Sequence, residues 1–227
     1  MRIDDACLVI SDVDVSDAFY SEALGLDRRM RNVRFADFVF SNGPRLAVWM
    51  EYSIAETVGE SYPVGAGRPF VITLEGAVDG TPGFVSDPDG FVLRLRPSTS
   101  VGSRMSGIEL SVSDLEASAE FVSLLGFEAT AAGDGVVEFA TGEVLLTLSS
   151  GRLSNEGSAA PDSSGRLMLA IELDTGDDVD RLYNELRARG LKDSGPPRVY
   201  EWGSRSAYFV DNDGYIWEIY AWVETPR

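Results

Sequence analysis

The chain has 227 residues, of which 44% are hydrophobic and 25% are charged, and this mixture is typical of a globular protein with a sizeable core. Nineteen basic residues oppose 37 acidic ones, and the net charge of −18 argues against nucleic acid as a partner. No apolar run approaches the ~18 residues that cross a bilayer, and the single cysteine, Cys7, excludes an intrachain disulfide, so we expect a cytoplasmic protein with no membrane partner.

The first fifty residues predict one strand, one helix and three further strands. The first apolar run ends at Ile10 and is followed by Ser11 and Asp12, which are residue types that cap helix N-termini. Apolar residues then recur at helical spacing until Gly25, where the helix is expected to stop. The strands are predicted at residues 6–10, 27–34, 35–40 and 46–52.

The next segment predicts a shortened version of the same unit. A strand at 70–74 opens it, but the Gly- and Pro-containing stretch 76–83 stands where a helix and one strand would follow. Residues 84–95 read FVSDPDGFVLRL and close the unit with a turn and a strand. The polar stretches 53–67 and 149–165 join successive units, and we expect them to cover or border a cleft.

The chain then repeats itself. ISDVDVSDAFYSEALGL (10–26) resembles VSDLEASAEFVSLLGF (112–127), and FVDNDGYIWEI (209–219) repeats the pattern at 84–95. The repeats predict four βαβββ units in two domains, 1–97 and 105–227, joined by a Ser- and Gly-containing linker at 98–104. The last unit is predicted to have a helix at 177–189 and strands at 167–173, 198–202, 206–210 and 215–222.

These motifs resemble the vicinal oxygen chelate superfamily, which includes glyoxalase I, bleomycin-resistance proteins and extradiol dioxygenases. The resemblance covers most of the chain and implies an α+β fold, in which paired βαβββ units form curled mixed sheets around a cleft. It implies much less about activity, because the fold serves binding proteins and several classes of enzyme.

Metal-dependent members of this superfamily place His or Gln near the start of a unit's first strand and Glu in some fourth strands. The resemblance puts the first-strand positions at Asp5, Pro69, Gly107 and Met168, and fourth-strand positions at Arg94 and Glu218. The chain has no histidine, so we expect no metal cofactor. The alternative is a divalent cation held by Asp5, Glu51 and Glu218.

Side-chain alternation along the predicted strands selects the residues that face the cleft. Asp5, Glu109 and Glu218 place carboxylates there, and Arg94 is either a ligand anchor or one half of an internal ion pair. Large aromatic side chains near the ends of the copies are candidates for stacking against a ligand. The predicted ligand-binding residues are Asp5, Trp49, Arg94, Glu109, Met168, Trp202, Glu218 and Tyr220.

Three hypotheses follow. The first is a metal-independent protein that binds a small organic ligand in the cleft, for which a shaped, partly apolar hollow with a few polar groups suffices. The second is a metal-dependent lyase, isomerase or dioxygenase that uses Asp5 and Glu218. The third is a scaffold whose hollow is filled by its own side chains. No catalytic residue is assigned, and a homodimer is compatible with all three.

Overall fold

A computed structural model describes residues 1–65, 67–77, 82–99, 101–151, 153 and 166–224. The fold is α+β, with two mixed sheets and a few short helices, as the repeats predict. Within those residues no helix is both long and apolar enough to cross a membrane.

The first sheet combines strands from the first and the last βαβββ unit. Its spatial order is β13-β15-β16-β12-β1-β4-β3-β2, and β14 pairs with β15 at one end. The two units meet where β1 runs antiparallel to β12, so the copies pair within one chain. The strands are β1 (Arg2–Ile10), β2 (Asp27–Arg31), β3 (Phe35–Val39), β4 (Arg45–Met50), β12 (Leu167–Glu172), β13 (Lys192–Asp193), β14 (Arg198–Val199), β15 (Ser204–Val210) and β16 (Ile216–Trp222).

The second sheet combines the two middle units in the same way. Its order is β6-β7-β5-β8-β11-β10-β9, with β5 antiparallel to β8 at the junction. The strands are β5 (Phe70–Glu75), β6 (Gly83–Ser86), β7 (Val92–Arg96), β8 (Arg104–Ser111), β9 (Ala129–Gly133), β10 (Val136–Ala140) and β11 (Leu145–Ser149).

Four helices complete the described fold: α1 (Val13–Ala18), α2 (Glu51–Val58), α3 (Leu115–Leu124) and α4 (Gly176–Ala188). Asp12 caps α1 as predicted, because its carboxylate accepts from the N–H groups of Asp14 and Val15. The last turns of that helix widen into a π-helical segment, Phe19–Ala23.

Two expectations about individual segments had different outcomes. The second unit is shortened as predicted: its described residues form three strands and no helix, although half of the 76–83 stretch, residues 78–81, lies outside the described residues. The predicted strand at 46–52 is wrong at its end, because the chain turns into α2 at Glu51. Ile54 and Val58 lie one helical turn apart and are both buried, which favours a helix there.

One hydrophobic core serves both sheets. Leu8 and Phe38 of the first sheet belong to the same buried cluster as Ile72 and Phe139 of the second. Phe121 of α3, in the third unit, packs edge-on against Trp217 of β16, in the fourth, with ring centroids 5.2 Å apart. We call the face of each sheet that points away from this core its outer face.

Candidate functional site

The outer face of the first sheet collects most of the residues predicted to bind a ligand. Cys7 and Val9 of β1 point to it, whereas their neighbours Leu8 and Ile10 point into the shared core. Six predicted residues lie on this side of the first sheet: Asp5, Trp49, Met168, Trp202, Glu218 and Tyr220. Arg94 and Glu109 lie on the second sheet and are not brought together with them.

One half of this outer face is apolar and is covered by α2. Ile54 and Val58 of the helix are 0% and 1% exposed, and they belong to a buried cluster with Cys7 and Met168. The stretch 53–67, predicted to cover or border a cleft, begins within α2 and covers this part of the outer face. Most of the second such stretch, 149–165, lies outside the described residues. The remaining buried members of the cluster are Val9, Ala47, Trp49, Tyr208, Val210 and Ile216.

A wall of aromatic rings borders the apolar half. Trp49 contacts Phe35 and Trp202 edge-on, with centroid distances of 6.0 and 6.1 Å. Trp202 stacks in parallel on Tyr200 at 4.6 Å, and its indole N–H donates to Ser204 Oγ at 2.7 Å. Phe35, Tyr200 and Trp202 keep part of their surface exposed. Rings fixed in this way present a rigid, partly accessible surface for a flat or apolar molecule.

The other half of the outer face is polar and is centred on Arg45. The Arg45 side chain is only 13% exposed, and its guanidinium donates to the Asp4 carboxylate and to the Tyr220 hydroxyl, the latter at 3.2 Å. Asp5 Oδ2 lies 3.8 Å from Nη2, and Asp37 Oδ2 lies 3.5 Å from Nη1. Burial alone would lower the pKa of Arg45, but Asp5 and Asp4 raise it above its ordinary value. The guanidinium is therefore permanently charged.

Asp5 is the least satisfied group of this network. It is 6% exposed, and its Oδ1 atom is buried without a hydrogen-bond partner. Burial raises the pKa of Asp5 to about 8, against the opposing effect of Arg45 and with the help of Asp4 and Asp37. The side chain is thus mainly protonated at neutral pH.

Glu218 lies on β16, two strands away from Asp5, in a better-satisfied environment. Tyr208 donates to Glu218 Oε1 at 3.0 Å, and Tyr220 of the same strand donates to Asp4 at 2.5 Å. Burial raises the pKa of Glu218, while hydrogen bonds from Ser206 and Tyr208 oppose the rise. Asp4, Asp5 and Asp37 therefore surround Arg45 in one buried polar network beside the aromatic wall, whereas Glu218 is hydrogen-bonded to Tyr208 at its edge.

The alternative metal site does not assemble. Glu51 begins α2, its side chain is 57% exposed, and it pairs with Arg166 at 2.7 Å rather than with Asp5 or Glu218. Among the described residues, no group of three or more His, Cys, Asp or Glu side chains is placed to hold a metal. The three-carboxylate set fails because the chain leaves the sheet at Met50, one residue before Glu51.

The strand register shows which residue of the first unit is equivalent to Glu218 of the fourth. Glu218 pairs with Ala170 on β12, and Cys7, at the matching place on β1, pairs with Ala47 on β4. The counterpart of Glu218 in the first unit is therefore Ala47, outside the predicted range 48–51. With Met168 at the other first-strand position, the residues present do not fit the metal of the fold family.

On the second sheet, Arg94 and Glu109 meet each other. Arg94 Nη2 lies 3.2 Å from Glu109 Oε2, and the two side chains are only 13% and 10% exposed. The Arg94 guanidinium also lies 5.4 Å from the centre of the Phe84 ring. Arg94 was predicted to be either a ligand anchor or one half of an internal ion pair, and the structure shows the ion pair. Leu153 packs on the same outer face, against Val71 and Val92.

A surface pocket of about 580 Å³ lies elsewhere, at the start of α1. Its lining includes Arg28 and Arg31, but both guanidinium groups are already paired, with Asp17 and with Asp14 respectively. Sequence reasoning did not find this pocket, and it also missed Arg45, the centre of the polar network. One feature of the sequence could have indicated Arg45. It is a charged residue in a strand of otherwise apolar residues, and it stands two residues before an outer-face position, so alternation places it on the same face.

Comparison with known proteins agrees with this fold. The model of the Glyoxalase/Bleomycin resistance protein/Dioxygenase superfamily matches residues 104–219. A glyoxalase/bleomycin resistance protein/dioxygenase from Nocardioides is 36% identical over 52% of this chain and 83% of its own, with a TM-score of 0.44. No curated protein matches the chain.

Two solved structures resemble nearly the whole chain. A putative dioxygenase from Bacillus subtilis subsp. subtilis str. 168 has 14% identity over 99% of this chain and 86% of its own, with a TM-score of 0.66. Glyoxalase I from Zea mays has 19% identity over 97% and 92%, with a TM-score of 0.62. These similarities show the shared fold, and the match of the family model over half of the chain shows that the chain belongs to the glyoxalase/bleomycin resistance protein/dioxygenase superfamily.

Proposed function

We propose that this chain is a metal-independent binding protein for a small organic ligand, which it holds on the outer face of the first sheet. The observation that carries the proposal is the placement of the Arg45 guanidinium among Asp4, Asp5 and Asp37. The protein supplies a fixed cation where metal-dependent members hold an ion, directly beside a partly exposed aromatic wall.

The two halves of this face suit different parts of one ligand. Trp49, Trp202 and Tyr200 offer aromatic surface, and the neighbouring network has more carboxyl groups than guanidinium groups. A cationic or amphipathic aromatic compound would match both features. The Arg198 guanidinium already lies 4.6 Å from the Tyr200 ring centre, so a planar cation is compatible with this wall.

The test is a thermal-shift screen of cationic, neutral and anionic aromatic compounds, followed by titration of tryptophan fluorescence. Compounds that bind should raise the melting temperature of the wild type and lose most of that effect in Trp202→Ala. Tyr52→Ala, which removes an aromatic ring that is 54% exposed on α2, is the matched control and should keep the effect. Absence of stabilisation by every class, or equal losses in both variants, would overturn the proposal.

Three further predictions remain proposals. We propose a cytoplasmic location, which suits the one free thiol, Cys7. We also propose a homodimer, which sedimentation velocity would test directly. The domain division at 98–104 predicts a site of easy proteolytic cleavage in the native protein.

A further inference from the structure

We propose that residues 51–65, which we call the lid, open as a unit to admit a ligand to the outer face of the first sheet, and that Arg166 is the residue that holds the lid closed. The lid consists of α2 and the chain that follows it. Because the lid controls access to the proposed binding face, this proposal rests on the function proposed above. Cys7, the thiol that packs against α2, reports on opening of the lid without any ligand.

The first support is what the lid covers. Ile54 and Val58 lie in the same buried cluster as Cys7 and Trp49, which are 0% and 9% exposed. Trp49 also belongs to the aromatic wall, so the apolar floor beside that wall is closed to a ligand while the lid is in place. Since the lid contributes no strand to either sheet, it can leave this floor without breaking a strand pair.

The second support is that α2 depends on its contacts for its order. It has eight residues, fewer than the ~12 that an isolated helix needs in water. Among the described residues, no side chain caps its N-terminus. Gly59 ends it at φ 66° and ψ −139°, a conformation that is open essentially only to glycine. A segment held by contacts with its neighbours can open locally while the rest of the fold stays intact.

The third support is that one arginine holds both ends of the lid. Arg166 Nη1 lies 2.7 Å from Glu51 Oε1 at the start of the lid, and Nη2 donates to the Gly65 carbonyl oxygen at 2.6 Å near its end. The guanidinium carbon also lies 4.8 Å from the centre of the Tyr62 ring, and the Tyr62 hydroxyl donates to Glu51 Oε1 at 3.2 Å. The Arg166 side chain is only 17% exposed, so these charged contacts are stronger than at the open surface.

Arg166 is itself fixed to the sheet. It immediately precedes β12, and its carbonyl oxygen accepts from the N–H of Val9 on β1 at 3.0 Å. A further hydrogen bond, from Ser61 Oγ to the Asp193 carbonyl oxygen at 2.5 Å, ties the lid to β13. Loss of the Arg166 side chain therefore frees the lid at both ends, whereas loss of any one partner removes only part of its attachment.

The test measures how fast Cys7 reacts with N-ethylmaleimide in native wild type, Arg166→Met and Arg205→Met. Arg205 is the matched control, because its guanidinium also lies 2.7 Å from a carboxylate on a helix, that of Asp180 on α4. Methionine keeps an unbranched stem without the charge. We expect Arg166→Met to react about tenfold faster than wild type, and Arg205→Met to react at the wild-type rate.

Urea separates opening of the lid from unfolding of the whole protein. The labelling rate of Arg166→Met should rise with urea less steeply than its global unfolding constant, because opening the lid exposes less surface. Glu51→Gln removes the charge from one of the three contacts of Arg166 and should increase the labelling rate by a smaller factor, about two- to fivefold. The Glu51 side chain is 57% exposed, so this variant serves if Arg166→Met does not fold.

Faster labelling in Arg166→Met but not in Arg205→Met, with the shallow dependence on urea, supports the proposal. Labelling at the wild-type rate, equal increases in both arginine variants, or a dependence on urea as steep as that of global unfolding would overturn it. If Arg166→Met does not fold, an increase for Glu51→Gln supports the proposal and an unchanged rate overturns it. A ligand screen without any hit would contradict the proposed function but not the opening of the lid, so the two failures are distinguishable.

Discussion

The backbone N–H of Ser113 donates to the carboxylate of Asp213, at 3.0 Å from Oδ1, across 100 residues of sequence. The first copy has the same relationship, because the Ser11 N–H donates to Asp89 at 3.1 Å. The two motifs that reveal the internal repeat, Ser-Asp after a strand and Asp-x-Asp-Gly before one, therefore touch each other. Their recurrence reflects this contact.

The two contacts differ in strength, and this difference is testable. Asp213 has a side chain that is 3% exposed and also pairs with Arg68 at 3.2 Å, whereas no such pair is found for Asp89 among the described residues. Asp213→Ala should therefore lower the free energy of unfolding by about 1–3 kcal/mol and by more than Asp89→Ala. Urea denaturation measures both, with the exposed Glu128→Ala as a control for lost charge. Equal costs for the two aspartates would contradict this reading.

Covering of the outer face by α2 predicts a linked change in stability and thiol reactivity. Ile54 is fully buried and belongs to the same cluster as Cys7, so Ile54→Ala should cost about 2–4 kcal/mol and leave a cavity. Cys7, the single thiol, should then react faster with a thiol reagent under native conditions. Tyr52→Ala on the same helix should change the free energy of unfolding by no more than a few tenths of a kcal/mol and should leave the reaction rate of Cys7 unchanged. If Ile54→Ala were destabilised but Cys7 reacted at the wild-type rate, α2 would not be what protects Cys7 from the reagent.

The sequence alone predicts most of the architecture but only part of the candidate site. Strand alternation and the repeat place Asp5 and Glu218 correctly on one outer face. They do not reveal Arg45, because the value of a charged residue in a strand depends on partners from β1 and β3 that only folding brings near. The helix at Glu51 was missed because a strand and a short helix follow one another there without a Gly, Pro or capping residue.

Asp5 gives the protein a specific dependence of stability on pH. Its pKa is raised to about 8 in the folded state from an ordinary value of 3.8, mainly by burial. Its contribution to stability is thus fully present below pH ~4 and is lost as the pH rises through about 8. Asp5→Asn is neutral in both the folded and the unfolded state, so it should match wild type near pH 4, gain stability relative to wild type as the pH rises, and keep a constant advantage above about pH 8. Urea midpoints from pH 4 to 9 measure this difference.

The matched control for this pH series is Asp27→Asn, which removes one exposed carboxylate from β2. Its stability should run parallel to that of wild type across the same range. If the stability of Asp5→Asn also ran parallel to that of wild type, Asp5 would be ionised throughout this pH range. Its negative charge would then be compensated by the positive charge of Arg45.

The ion pair between Arg94 and Glu109 should contribute far more than a surface pair of the same type. Its side chains are 13% and 10% exposed, whereas those of Arg189 and Glu120, 3.4 Å apart, are 55% and 69% exposed. Double-mutant cycles with Met for Arg and Gln for Glu should give a coupling of about 1–3 kcal/mol for the buried pair and below ~0.5 kcal/mol for the exposed pair. Urea denaturation of seven proteins, the wild type shared by both cycles and three variants in each, supplies the free energies. If the coupling energy were as small for the buried pair as for the exposed pair, Arg94 and Glu109 would each be stabilised by other groups. The alternative interpretation of Arg94, as an anchor for an anionic ligand, would then be favoured.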